Sequence, residues 1–182
     1  PYTTRFRSGV SEQEKGFFPG GMPANLASMS NGVDLEFFTP RLGSGQHPKA
    51  PTLVFTGVMD YWPNVEGIRW FALEVLPRIQ GVVPEVQLFI VGSRPTPEVR
   101  KLAEINGVTV TGFVKDVRDY IAGANVCIAP LRIARGIQNK VLEAMAMAKA
   151  VVATPEAYEG VESVAGEDIV VANGAAGFAD AV

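Results

Sequence analysis

The chain is poor in the residues that build reactive centres. It has one cysteine, Cys127, and one histidine, His47. Cys127 lies in the apolar run VCIAP, so it reads as a small buried hydrophobe. A lone thiol excludes a disulfide framework, and a reducing, cytoplasmic compartment is the expectation. His47 stands in a Gly/Pro-rich loop without ligand partners, which argues against a metal site and a histidine-based hydrolase triad. No apolar run approaches the length of a membrane span, and no signal peptide is visible. A net charge of −3 argues against non-specific nucleic-acid binding. The sequence also lacks a G-x-G-x-x-G turn after its first strand, a Walker loop and a G-x-S-x-G elbow. Dinucleotide dehydrogenases, P-loop enzymes and α/β-hydrolases are thereby disfavoured.

What is present is a globular pattern. The 182 residues, 47% hydrophobic and 19% charged, suffice for one domain with a proper core. About six short apolar runs, mostly separated by helical stretches, predict a doubly wound parallel sheet, an α/β Rossmann-like fold. The runs are TLVFTG (52–57), VQLFIVG (86–92), the start of VTVTG (108–112), VCIAP (126–130), AVVAT (150–154) and DIVVA (168–172). Residues 1–50 are dense in turn formers and read as an interdomain linker with a residual N-terminal segment. Residues 51–182 read as the ordered domain. Both ends look cut, which suggests a piece of a longer protein.

The stretch 126–155 organises the rest: strand, basic loop, helix, strand. On its helix, Val141, Leu142 and Met145 share a face suited to the sheet, while Gly136, Lys140, Glu143 and Met147 form a stripe on the other side. Lys140 falls near the positive end of the helix dipole, downstream of Arg132 and Arg135. This arrangement fits a bound phosphate. It fits equally a solvated polar face with a Lys140–Glu143 pair.

GIQNKVLEAMAMAKAVVAT (136–154) resembles the donor-binding segment of two-domain GT-B retaining glycosyltransferases of the family 4 kind, which carry a Glu-x7-Glu pattern, a helix reading LEAMA and then PVVAT. Glu143 matches the second glutamate. Arg135 stands at the first, Ala148 at a usual glycine and Ala150 at a usual proline. A closer likeness is to a bacterial subgroup linked to exopolysaccharide and exosortase systems, with G-I-x-x-K-x-L-E-A-M-A. SNGVDLEFF (30–38) resembles the segment entering the C-terminal domain, and TGFVKDVRDYIAGANVCIAPL (111–131) the family's V-x-x-x-G-x-V-x-D stretch. The resemblance covers residues 31–182.

It implies a transferase moving a sugar from a UDP- or GDP-sugar with retention and without a divalent metal or other cofactor. Lys140 and Arg135, with Arg132 assisting, would stabilise charge on the leaving diphosphate, and Glu143 would bind the ribose. Gly57 opens a loop on the interdomain cleft, and Gly136 and Ile137 would approach the phosphates. Phe113 and Val114 would meet the base, and Arg94, just past the second strand, would lie near the donor. Residues 57–67 contain no basic residue where the family often places a cationic pair. A glycan or lipid-linked acceptor would bind a missing N-terminal half, so this chain alone is expected to be inactive. The full protein is expected in the cytoplasm, touching the inner membrane peripherally at most. A sugar-nucleotide epimerase and a noncatalytic regulatory domain of the same fold remain alternatives.

The local readings are these. Asn31–Gly32 should form a tight turn before an anchor at Phe37 and Phe38. Asn64 or Asp60 should cap the first helix, where Ile68, Phe71, Leu73, Val75 and Leu76 supply apolar bulk, and Tyr61 and Trp62 should pack. Pro97 suits a helix start, Asp116 a helix cap, and Asn173–Gly174 the start of a closing helix. Residues 155–167 read as a loop with exposed Glu156, Glu159 and Glu162.

Overall fold

The computed structural model describes residues 31–41, 50–134 and 136–182. His47 and Arg135 lie outside the described residues. Six strands form one sheet: β1 (Thr52–Thr56), β2 (Gln87–Val91), β3 (Val108–Gly112), β4 (Val126–Ala129), β5 (Ala150–Ala153) and β6 (Val170–Val171). Their order is β3-β2-β1-β4-β5-β6, and every pairing is parallel. The expected doubly wound sheet is therefore present. β1 is buried along its whole length, as a central strand covered on both faces must be. The chain moves outward from β1 to β3 and then returns to β4 on β1's other side. That reversal opens a crevice beyond the carboxyl ends of β1 and β4.

Helix α1 (Trp62–Trp70) runs through a wide turn at Phe71–Val75 into α2 (Leu76–Gln80). Pro77 explains the wide turn. It has no N–H to donate, and its ring would crowd the carbonyl four residues back, so the helix widens one turn earlier. Ile68, Phe71, Val75 and Leu76 are fully buried, whereas Leu73 turns out to solvent. Trp70 and Phe71 meet Phe178 of α7 (Gly174–Ala181) edge to face, at ring distances of 5.9 and 5.7 Å. Gly67 lets α1 sit close to the end of β4, because a Cβ there would come 2.5 Å from the Pro130 carbonyl oxygen.

The remaining helices are α3 (Pro97–Lys101), α4 (Arg118–Gly123), α5 (Asn139–Ala146) and α6 (Pro155–Tyr158). α3 starts at Pro97 as expected, capped by Thr96, whose hydroxyl accepts from the Val99 N–H. α7 starts at Gly174 after Asn173, also as expected. α6 occupies part of the expected loop. Thr154 caps it by accepting from Ala157 N–H, and Thr154 also donates to the Leu131 carbonyl.

Three local expectations need correction. Tyr61 and Trp62 do not pack: they are 58% and 59% exposed. Neither Asn64 nor Asp60 caps α1. Tyr61 holds the cap position without a side-chain bond, and Asn64 lies within the helix. The tight turn falls after Asp34 rather than at Asn31–Gly32. Asp34 Oδ1 accepts from the N–H groups of Glu36 and Phe37, and the Phe38 N–H donates to the Asp34 carbonyl. The segment is pinned to the domain, because Arg41 pairs with Asp116 and Asp119, and Arg118 lies 3.5 Å above the Phe37 ring.

Candidate functional site

A cleft of about 520 Å³ opens at the carboxyl edge of the sheet, over the ends of β1 and β2 and beside the start of α5. Its floor comes from the strand ends. Gly57 and Gly92 pass so closely that a Cβ on Gly92 would stand 1.7 Å from the Gly57 carbonyl oxygen. Phe113 and Val114 form one wall, following β3, and Phe113 is 80% exposed. Tyr61 and Asn64 of the α1 side form another wall, and Ile137, Lys140 and Glu143 close the cleft from α5. Asn31 reaches in from the entering segment, its Nδ2 donating to Asn139 Oδ1 at 3.0 Å.

α5 carries the charge. Val141 and Ala144 face the core, and Leu142 and Met145 are partly buried against it. Met147 does not extend the polar stripe. It caps the helix and is buried, because the chain turns back at Ala148, which has φ 53°. The N–H of Ala148 bonds to the Met145 carbonyl, and that of Lys149 to the Ala144 carbonyl. This is a Schellman termination with alanine at its left-handed position.

Lys140 sits in the first turn of α5, and its ammonium is turned inward. Nζ donates to Asn64 Oδ1 at 2.5 Å and lies 4.4 Å from the centre of the Phe55 ring. Burial pushes this amine down to about 7, opposed only by the nearby Glu143 carboxylate. Glu143 is pushed up by its own burial, and Lys140 draws it back down. Among the described residues that line the cleft, Lys140 is the one cation and Glu143 the one carboxylate.

The candidates named from sequence divide. Gly57, Phe113, Val114, Ile137, Lys140 and Glu143 come together around the cleft. Gly136, Arg94 and Arg132 are not among its lining residues. Gly136 supplies a turn with φ 66°, and its carbonyl accepts from Gln138. Arg94 pairs with Asp60 at 2.8 Å. Arg132 turns back onto α1, where Nε donates to Glu66 Oε1 at 2.8 Å and the guanidinium faces Trp70. Asp116 does not hold the cap position of α4, which falls to Val117 without a side-chain bond; it stands one residue earlier, accepts from the Arg118 N–H, and the Arg118 guanidinium holds its carboxyl well below the usual carboxylate range. Asn64 was missed as a site residue. Its partner Lys140 is 76 positions away in sequence, and no local pattern signals that meeting.

The fold is shared with solved glycosyltransferases. The chain is similar to Anabaena HepE, crystallised with UDP and glucose, at 16% identity and a TM-score of 0.72, covering 96% of this chain and 51% of that one. It is similar to sucrose-phosphate synthase from Thermosynechococcus elongatus at 21% identity and a TM-score of 0.72, covering 96% and 47%. The C-terminal domain of a group 1 glycosyl transferase, LpcC, from Francisella tularensis matches at 19% identity and a TM-score of 0.60, covering 82% and 85%. The chain thus spans about half the length of HepE and of sucrose-phosphate synthase and most of the LpcC domain. No curated protein sequence matches it. No helix among the described residues is long and apolar enough to cross a membrane. The family model for glycosyl transferases group 1 matches residues 50–182, and the chain belongs to that family, as the Rossmann-like half of a GT-B fold.

Proposed function

We propose that this domain holds the nucleoside diphosphate part of a sugar donor in the cleft over the ends of β1 and β2, beside the start of α5. The observation that carries the reading is Lys140: a single ammonium on the cleft wall, in the first turn of a helix at the point where the strand order reverses. Breaking the bond from sugar to diphosphate puts negative charge on the phosphate oxygens. A fixed cation and free helix N–H groups lower that barrier because they need no reorganisation as the charge appears. Diphosphate binding also returns the Lys140 proton that burial weakens, so the cation is strongest when the donor is in place.

In this reading Phe113 offers an exposed ring to the base, and Glu143 accepts from ribose hydroxyls. The sugar is a hexose passed with retention, and the donor is a UDP- or GDP-sugar. UDP and glucose bound to HepE favour the uridine series. No cofactor is required. The acceptor, a glycan or lipid-linked saccharide, binds a second half that a two-domain enzyme supplies, and residues up to 50 connect the halves. The isolated domain therefore binds but does not transfer. Assembly of an exopolysaccharide or other surface glycan in the cytoplasm is the setting we favour.

The test is a thermal-shift panel of UDP, GDP, ADP and their sugar conjugates on this chain and on Lys140→Ala. A ligand that binds only the folded state raises the midpoint by mass action. The expected result is a rise with one diphosphate series, lost in the variant. Equal shifts in both proteins would remove Lys140 from the site and favour a noncatalytic domain.

A further inference from the structure

We propose that Asn64 is a positioning residue: its carboxamide holds the Lys140 ammonium at the cleft wall, aimed at the phosphates of a bound nucleotide. The proposal deepens the donor-site reading and rests on it for the identity of the anion.

Asn64 is 5% exposed and is the only carboxamide among the buried polar side chains of the described residues. A buried carboxamide is costly unless both its ends are bonded. Nδ2 donates to the Val58 carbonyl at 3.0 Å, and Oδ1 accepts from Lys140. The reversed amide would set its NH2 group against an ammonium and its oxygen against a carbonyl. One orientation is therefore fixed.

The surroundings are shaped to this contact. A Cβ on Gly57 would come 2.7 Å from Asn64 Nδ2, so the bare backbone there makes room for the amide. Gly67, one turn further along α1, seats the helix against the Pro130 carbonyl and brings Asn64 within reach of α5. The Phe55 ring takes the other side of the ammonium. An ammonium has three donors, and Asn64 accepts one of them.

The charged and titratable groups near Lys140 come from each neighbouring element. Glu143 is on α5 itself and Tyr61 precedes α1. Cys127 of β4 lines a small internal cavity together with Lys140, and burial pushes its thiol up to about 12, so it is neutral. Asn64 is the uncharged acceptor among them. It fixes the ammonium without neutralising it, which a carboxylate at the same place would do.

The experiment is an NMR titration of the lysine side-chain carbons in this chain, with Lys140 assigned through Lys140→Arg. It is repeated on Asn64→Asp and Asn64→Leu, with an amide spectrum of each as a check on folding. The aspartate variant should raise the Lys140 midpoint from about 7 to above ~8.5, and the leucine variant should lower it. At pH 7.5 the aspartate variant should bind UDP ~10-fold more weakly, because its carboxylate occupies the ammonium. An Asn64 that merely braces the Val58 loop would leave the Lys140 midpoint where it is. An unchanged midpoint in either folded variant overturns the proposal. Wild-type protein that fails to bind UDP while its Lys140 midpoint responds to Asn64 would refute the donor assignment and keep the positioning role.

Discussion

Replacing Lys140 with methionine should remove a pH dependence that the wild-type domain's stability carries between about 7 and 10.5. Methionine keeps most of the stem and removes the charge. In the folded wild type the amine titrates near 7, against an ordinary value of 10.5. At 1.36 kcal/mol per pH unit, the buried charge costs at most ~5 kcal/mol. Part of the residue is exposed, so a realistic figure is ~3 kcal/mol. The sign follows from proton counting. Between about 7 and 10.5 the unfolded chain holds a proton on Lys140 that the folded chain releases. Wild-type stability therefore gains from this group as pH rises through that window, and below it the full penalty applies. Lys140→Met has no such gain, so its stability relative to wild type should fall by ~2 kcal/mol from pH 7.5 to 10. The variant also leaves Asn64 Oδ1 buried without its donor, at about 1–2 kcal/mol, but that loss is the same at every pH and shifts only the offset. Cys127 titrates alike in both unfolded chains and cancels. Glu143 loses its cation in the variant, so the comparison starts at pH 7.5, above the carboxylate range. The assay is urea unfolding of both proteins at pH 7.5, 8.5, 9.5 and 10. Parallel stability curves would refute the claim that Lys140 is buried as a weakened base.

Two further substitutions test the frame around the site. Ala148 holds a left-handed conformation at φ 53° on an exposed position, so Ala148→Gly should stabilise the domain by ~1 kcal/mol, raising Tm by about 2–4 °C in calorimetry. No change would mean that the alanine is not strained there. Gly92→Ala would drive a Cβ to 1.7 Å from the Gly57 carbonyl at a φ of 150°, so denaturant unfolding should show a loss of ~3 kcal/mol or more. A loss below ~1 kcal/mol would show that the two strand ends separate easily.

Much of this architecture was legible because it depends on local composition. Each of the six strands is a short apolar run between polar turns, and all six occur where that pattern placed them. Thr96 before Pro97 and Asn173 before Gly174 also mark their helix starts in the sequence. Contacts between distant segments were not legible. Asn64 looks like a cap because it stands near a helix start, yet the Tyr61–Pro63 stretch begins the helix earlier and carries Asn64 inward to Lys140. Arg132 looks like a phosphate ligand because it precedes Lys140, but Glu66 of α1 captures it. Tyr61 and Trp62 are aromatic, which suggests a core, but both stand exposed where α1 begins, Tyr61 on the cleft wall. For Asn64 and Arg132 the deciding partner came from another element. Periodicity along one element cannot carry that information.

The chain's two tryptophans occupy opposite settings: Trp70 is buried against Phe178, while Trp62 stands in solvent next to Tyr61 on the cleft wall. They give the domain two optical channels. A soluble quencher will reach Trp62 while Trp70 stays dark to it. The blue, shielded part of the emission reports on whether the sheet and its closing helix hold together, and the red, accessible part reports on events at the cleft mouth. Ligand binding and unfolding can therefore be followed in one cuvette without attaching a label.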